Sequence, residues 1–252
     1  MKSLIITVAG MSSRFNRDMD VEVLKCLYHE GSAENSMLFQ QVRKTYDLVE
    51  EIVVVGGYRY DDLVAFVQKE MGDYLPKIKL VYNEHFHDYG SCYSLLKGIE
   101  LVSQNTDEIV FIEGDLFFAS ESVEAVINSK RDVISVNDEP ILSNKAVALY
   151  FDVNNYPHYI YDTNHSYLEI REPFTAIYNS AQMWKFHDAE KLFRECDALT
   201  QQQKEGTNLE IVQRYFGNIN MDYLEIVTVN EWFNCNTKEE YLRAISFKDL
   251  KR

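Results

Sequence analysis

Short uninterrupted apolar runs alternate with segments of helical spacing along the first 150 residues of the 252-residue chain. Leu4, Ile5, Ile6, Thr7 and Val8 are rich in β-branched residues and stop before Gly10, which predicts a buried strand. Glu51 to Gly57 predicts a second strand, nearly all apolar, as a strand covered on both faces must be. Asp61 to Met71 predicts a helix with Leu63, Phe66 and Val67 on one face and two aspartates at its start, where the helix dipole favours them. Ile78 to Tyr82 and Ile109 to Ile112 predict further strands; Ser94 to Val102 and Ser120 to Asn128 predict helices. Strands alternating with helices imply βαβ units and a mostly parallel sheet.

Beyond this the pattern is less regular. Val133 to Val136 and Ala146 to Phe151 predict strands, and the Tyr-rich segment from Tyr156 to Tyr178 predicts strands packed beside the main sheet. Gln182 to Cys196 and Asn208 to Tyr215 predict helices, Leu224 to Val229 a strand, and Lys238 to Ile245 a last helix. Thr237 with Glu240, and Thr207 with Glu210, have the spacing of capping boxes that would start the last helix and the one before it. No linker-like stretch divides the chain, so residues 1–252 predict a single domain.

Composition narrows the function classes. The chain is 46% hydrophobic with only four prolines and ten glycines, enough for a sizeable core. A formal net charge of −15 repels polyanions, which argues against a nucleic-acid or anionic-membrane surface and confines any phosphate site to a local basic pocket. Cys26, Cys92, Cys196 and Cys235 lie far apart with no C-x-x-C pair, the usage of reduced thiols in a cytoplasmic protein. No apolar run approaches the ~20 residues of a membrane span, so the expectation is a soluble cytoplasmic chain.

After the first strand the chain must turn, and it does so through Gly10, Ser12 and Ser13, small residues whose backbone amides can form a concavity for phosphate. Arg14 and Lys25 add two cations, so that a polyphosphate could be held from three sides. Glu113-Gly114-Asp115 places a carboxylate just beyond the C-terminal end of an apolar strand, where open α/β sheets bind ligands. His85 and His87 share a strand face but have no third soft ligand nearby to complete a zinc site.

The stretch from Ala9 to Lys25 resembles the signature of the nucleotidyltransferase superfamily, A-G-x-G-S-R-L followed about ten residues later by P-K. Ala9, Gly10, Ser13, Arg14 and Lys25 fall on the pattern, while Ser12, Phe15 and Leu24 replace its second glycine, its leucine and its proline. A second stretch is similar to the segment N-x-x-(F/Y)-x-D-Y-N-N-x-Y-S-L of the CTP:phosphocholine and aminoethylphosphonate cytidylyltransferases. Asn83, Phe86, Asp88, Tyr89, Tyr93, Ser94 and Leu95 match it without a gap, and Gly90 and Ser91 replace its two asparagines.

The resemblance implies a Rossmann-like, GT-A-type α/β fold, with helices on both faces of a mostly parallel sheet. It also implies the coupling of a nucleoside triphosphate to a phosphorylated small molecule, with release of pyrophosphate. On this basis Ala9, Gly10, Met11, Ser12, Ser13, Tyr89, Gly90, Ser91 and Ser94 bind nucleotide, Arg14 and Lys25 are the catalytic cations, and Asp115 and Asn236 hold Mg²⁺. Residues 1–150 form the nucleotide-binding half and residues 151–252 the acceptor-binding half.

The expected substrates are CTP and a phosphorylated or phosphonylated amino-alcohol. Gly90-Ser91 leaves a sugar 1-phosphate open, and Ser12, Leu24 and Asn236 leave open a catalytically idle nucleotide-binding homologue. The acceptor side offers Tyr150, Phe151, Tyr156, Tyr159, Tyr161, Tyr167, Phe174, Tyr178 and Trp184 among the carboxylates Asp152, Asp162, Glu169 and Glu172. Such a set either cages an ammonium group by cation–π contact or forms a Tyr-rich β-layer. Tyr178, Trp184 and Glu210 are the candidate acceptor contacts, with helix capping the alternative role of Glu210. A homodimer is left open, and a product of this kind would serve the decoration of cell-surface polysaccharide or lipid.

Overall fold

The computed structural model describes residues 1–17, 19–143, 147–161 and 167–249. Its strands are β1 Lys2–Thr7, β2 Glu51–Gly56, β3 Ile78–Tyr82, β4 Glu108–Glu113, β5 Leu116–Phe117, β6 Asp132–Asn137, β7 Ala148–Asp152, β8 Pro157–Ile160, β9 Phe174–Phe186, β10 Leu224–Thr228 and β11 Phe233–Asn234. Its helices are α1 Ser13–Asn16, α2 Met37–Thr45, α3 Tyr60–Glu70, α4 Ser91–Leu101, α5 Ser120–Asn128, α6 Ala189–Asp197, α7 Gln201–Lys204, α8 Leu209–Phe216 and α9 Lys238–Asp249. The main sheet runs β10-β6-β9-β4-β1-β2-β3, with β7 paired to β9 and β8 to β7. The pairings that involve β7, β8 or β9 are antiparallel and the others in this sheet are parallel.

The first strand shows why its sequence is unbroken. Leu4 and Ile6 enter a cluster with Leu38 of α2, Leu63 of α3 and Val123 of α5. Ile5 enters the opposite cluster with Leu95 of α4 and Ile211 of α8. Both faces are covered, and each buried aliphatic side chain contributes about 1.5–3 kcal/mol. A third cluster of Phe15, Met37, Phe117, Cys235, Tyr241 and Ala244 fastens α1 and α9 to the small β5–β11 ladder.

Helix α2 is not anticipated by the sequence reading, although Ser36 caps it by accepting the Phe39 N–H at 3.4 Å. The segment from Gln182 to Cys196, expected as one helix, is instead the end of β9 followed by α6. Burial decides this. Met183 enters one face of the core and Trp184 and Phe186 the other. Lys185, the charged residue between them, is also fully buried, its ammonium bonded to the carbonyls of Ile127 and Ser129 at 2.9 and 2.6 Å and paired with the Glu108 carboxylate at 2.8 Å. The true helix start is Asp188, whose carboxylate accepts the Lys191 N–H at 2.8 Å.

The Thr237–Glu240 capping box is present, with bonds of 3.2 and 3.0 Å. The Thr207–Glu210 box is not: Asn208 stands before the first residue of α8 and gives no side-chain cap, because its side chain is bonded to Glu113 instead. The Tyr-rich segment contains strands, as expected, namely β8 and the start of β9; they pair antiparallel with β7, and β9 runs on as a central strand of the main sheet rather than beside it. Ala146 and Asp162 lie outside the described residues. All four cysteines are buried and none forms a disulfide. Among the described residues no helix is long and apolar enough to cross a membrane.

Candidate active site

A two-residue ladder brings the distant halves of the site together. Leu116 pairs with Asn234 and Phe117 with Phe233, and the Cys235 N–H donates to the Asp115 carbonyl at 2.8 Å. The turn that carries Asp115 is held from both sides. Gln41 of α2 donates to the carbonyls of Glu113 and Leu116 at 3.1 and 2.9 Å. The Gly114 N–H donates to the Thr7 carbonyl at 3.0 Å, and a Cβ at this position would stand 2.3 Å from Val8, so a side chain would push the turn away from β1.

Lys25 closes the arrangement. Its Nζ lies 2.8 Å from Asp115 Oδ2 and 2.9 Å from Asn236 Oδ1, and Arg14 donates to the same Asn236 oxygen at 2.9 Å. The Lys25 backbone N–H donates to Ser12 Oγ at 3.1 Å. Ser12 has a left-handed φ of 55°. That conformation favours the glycine of the resembling signature and costs a serine about 1–3 kcal/mol, which the bond to Lys25 offsets. A Cβ on Gly10 would meet nothing within 4 Å, so the loop faces open space there.

Two cavities meet at these residues. The smaller, about 230 Å³, is lined by Ala9, Gly10, Lys25, Tyr89, Gly90, Ser91, Ser94 and Asp115 among others. The larger, about 430 Å³, is lined by Arg14, Glu139, Tyr161, Asn179, Gln182, Trp232, Asn234, Asn236 and Arg243 among others. Ser91, Glu113, Asp115 and Asn208 line both. The larger one falls in the ~300–1,000 Å³ range of small-molecule pockets. Most of the predicted nucleotide residues thus come together, whereas Met11 and Ser13 stand exposed beyond the smaller cavity and the Ser12 hydroxyl is used by Lys25.

The two replaced asparagines have a structural cause. A Cβ at Gly90 would stand 2.1 Å from the Gly206 carbonyl oxygen, and the Gly90 N–H donates to the Glu205 carbonyl at 2.9 Å. Ser91 Oγ accepts the Asn208 N–H at 2.9 Å, and Asn208 Nδ2 donates to Glu113 Oε1 at 2.7 Å. Glu113 and Asn208 were not singled out by the sequence reading, since only the fold brings them to the cavities. Desolvation and the nearby charge of Asp115 push the Glu113 carboxyl up to about 7.

None of the three candidate acceptor contacts lines the larger cavity. Trp184 has no exposed surface, stacks on Phe111 at 5.2 Å and donates to the Tyr159 hydroxyl at 2.7 Å. Tyr178 packs edge-on against Phe151 at 6.2 Å in the core cluster. Glu210 accepts a bond from Gln203 at 3.2 Å. Aromatic surface in the cavity comes from Tyr161, Trp232 and Phe233 instead. His85 lies 3.1 Å from Asp88 and stacks on Tyr89 at 4.1 Å rather than pairing with His87.

Among the described residues no group of three or more His, Cys, Asp or Glu gathers to hold a metal. Asp115 and Asn236 nevertheless suit a hard cation. Asp115 Oδ1 is buried with no hydrogen-bond partner, and the Lys25 ammonium already sits between the other Asp115 oxygen and that of Asn236. Mg²⁺ accepts such a sparse set of oxygens when water and substrate phosphates complete its shell.

A family model described as a domain of unknown function, DUF6564, matches residues 21–248. The chain belongs to the DUF6564 family. No curated protein matches it in sequence. Several solved structures are similar to this DUF6564 chain over nearly its whole length. One is a Bacillus anthracis protein assigned as a glucose-1-phosphate thymidylyltransferase, with a TM-score of 0.72 and 17% identity, covering 98% of this chain and 95% of that one. Another is the inositol-1-phosphate CTP transferase of T. maritima, with a TM-score of 0.69 and 14% identity over 98% and 96% of the two chains. A third is the CTP:phosphocholine cytidylyltransferase of Streptococcus pneumoniae, with a TM-score of 0.63 and 15% identity over 98% of each chain. The DUF6564 chain therefore has the Rossmann-like fold of the nucleotidyltransferases, as the resemblance in its sequence implies.

Proposed function

We propose that this chain is a nucleotidyltransferase that joins a nucleoside triphosphate to a small phosphorylated alcohol or sugar and releases pyrophosphate. The observation that carries this reading is the Lys25 ammonium, within 2.9 Å of both Asp115 and Asn236 where the two cavities meet. A phosphate monoester has its second pKa near ~6 and is largely dianionic at pH 7, so its attack requires no side-chain base. The site has to align two anions and neutralise them.

Backbone amides from Gly10 to Ser13, with Arg14, hold the outer phosphates of the triphosphate. Lys25 neutralises the α-phosphate and the attacking oxygen. Asp115 and Asn236 would hold Mg²⁺, which supplies Lewis-acid charge at the α-phosphate. A new P–O bond forms at the α-phosphorus as the bond to pyrophosphate breaks.

CTP is the first choice of nucleotide, on the match from Asp88 to Leu95. The carboxamides Asn179, Gln182 and Asn234 in the larger cavity favour a sugar or polyol phosphate as acceptor, since hydroxyls pair with amides. A phosphorylated amino-alcohol is the second reading, supported by Glu139 and Trp232 in the same cavity, a carboxylate and an aromatic face that suit an ammonium group. Either product suits a cytoplasmic step that feeds surface polysaccharide or lipid. The test is pyrophosphate release with Mg²⁺, each of four nucleoside triphosphates, and a panel of phosphocholine, phosphoethanolamine, 2-aminoethylphosphonate, glycerol phosphate and sugar 1-phosphates. Release with a sugar or glycerol phosphate alone supports the first acceptor, and release with an amine-bearing acceptor the second. Silence across the panel, with nucleotide still binding by calorimetry, overturns the catalytic reading in favour of an idle homologue.

A further inference from the structure

Gln182 holds a left-handed φ of 58° in the middle of β9 and is 6% exposed. The strand is irregular at this point. Ile134 of β6 pairs with Trp184 and Val136 with Ser180, so two steps along β6 answer four along β9. The bulge is tied down on both sides. Ser135 Oγ accepts the Met183 N–H at 3.0 Å and donates to the Met183 carbonyl at 2.6 Å, while Trp232 donates to the Ala181 carbonyl at 2.9 Å. Such bulges re-aim a side chain, and strained backbone persists where its surroundings over-determine it. Here the side chain lines the larger cavity.

Its carboxamide ends a chain whose direction is fixed by the two cations. Asn236 Oδ1 accepts from Lys25 and Arg14, so Asn236 Nδ2 is the end that turns to Asn234, where it donates to Oδ1. Asn234 then has its own Nδ2 left, and donates it to Gln182 Oε1 at 2.7 Å. An amide has one accepting and one donating end. Gln182 is therefore left with its two Nε2 N–H donors, which have no partner among the described residues.

Resting on the nucleotidyltransferase reading, we propose that Gln182 determines acceptor specificity: its Nε2 donors bind a hydroxyl or phosphate oxygen of the acceptor, and Asn234 is the positioning residue that keeps them facing it. The chain also accounts for an amide at position 236. A carboxylate there would offer no proton to Asn234 Oδ1, so Asn234 and Gln182 would turn over together and present Gln182 Oε1 to the acceptor. An acceptor oxygen without a proton would then be refused.

Two measurements test this. The first needs no turnover: side-chain NH₂ resonances of ¹⁵N-labelled protein, with the Gln182 pair assigned by its loss in Gln182→Glu. Asn236→Asp is expected to shift the Asn234 and Gln182 pairs together, and glycerol phosphate or glucose 1-phosphate is expected to shift the Gln182 pair. A Gln182 pair unmoved by Asn236→Asp and by both ligands overturns the proposal. The second is kinetic, with whichever oxygen-bearing acceptor the wild type uses. Gln182→Glu keeps the bond from Asn234 but removes the donors, and is expected to raise the acceptor KM at least about tenfold with the nucleotide KM unchanged. Gln182→Met, which keeps the bulk, is expected to do the same. Unchanged acceptor KM in both folded variants overturns the proposal. A wild type without pyrophosphate release defeats the enzyme reading separately, while the resonances still decide the role of Gln182.

Discussion

Lys25 Nζ and Asp115 Oδ2 stand 2.8 Å apart across 90 residues of sequence, and each side chain is less than a fifth exposed. The pair joins the segment after β1 to the turn after β4. Removing the lysine leaves a partly buried carboxylate unpaired and, on the proposed mechanism, takes away a charge contact at the transition state. Lys25→Ala is expected to lower turnover by at least ~100-fold in the pyrophosphate assay. Near wild-type turnover would remove Lys25 from the mechanism.

Glu113 gives the stability a pH dependence in metal-free protein. Its folded value of about 7 lies above the unfolded carboxylate range, so the folded state binds this proton more tightly. The contribution is fully present below the unfolded value and is lost as pH rises through the folded one. Glu113→Gln keeps an oxygen for Asn208 and removes the titration. In urea melts with EDTA, the wild type is expected to lose stability relative to this variant between roughly pH 5 and pH 8. Parallel profiles would count against Glu113 as the titrating group.

Gly90 and Gly10 should respond in opposite ways to a methyl group. Gly90→Ala forces the Glu205–Gly206 segment aside and is expected to cost about 1–3 kcal/mol in denaturant melts. Gly10→Ala projects into open space, and is expected to stay within about 0.5 kcal/mol of wild type. Its effect should fall on nucleotide affinity by calorimetry, because the methyl sits where the loop would meet phosphate. Unimpaired nucleotide binding by Gly10→Ala would move the phosphate site elsewhere.

Trp184 is a core residue, so its substitutions should change stability rather than acceptor choice. Trp184→Ala is expected to cost about 3–5 kcal/mol. Trp184→Phe keeps the stacking partner of Phe111, and its ratio of turnover with phosphocholine to that with glycerol phosphate should equal the wild-type ratio. A changed ratio at unchanged stability would restore Trp184 to the acceptor site.

The fold was legible from the stretch after β1 because its pattern is local: small residues after a strand, then two cations, are readable wherever the rest of the chain goes. The parallel strands were legible because burial on both faces leaves continuous apolar runs. The acceptor side was not, because its logic is tertiary. Trp184 looks like a cage residue by composition and is claimed by Phe111 and Tyr159. Lys185 breaks an apolar run on paper, and only the carbonyls of Ile127 and Ser129 together with the Glu108 carboxylate show how a central strand tolerates it. Gln182, Asn208 and Gln41 carry no motif. Their functions depend on partners 52, 95 and 72 residues away in the sequence.

The small ladder between β5 and β11 also sets a timetable for synthesis. Arg14 must wait 222 residues for the oxygen of Asn236, long after β1 and β2 have left the ribosome. Pairings so distant in sequence form late and slow the approach to the native state. The cluster around Lys25 is therefore complete only once the segment just before α9 has been made.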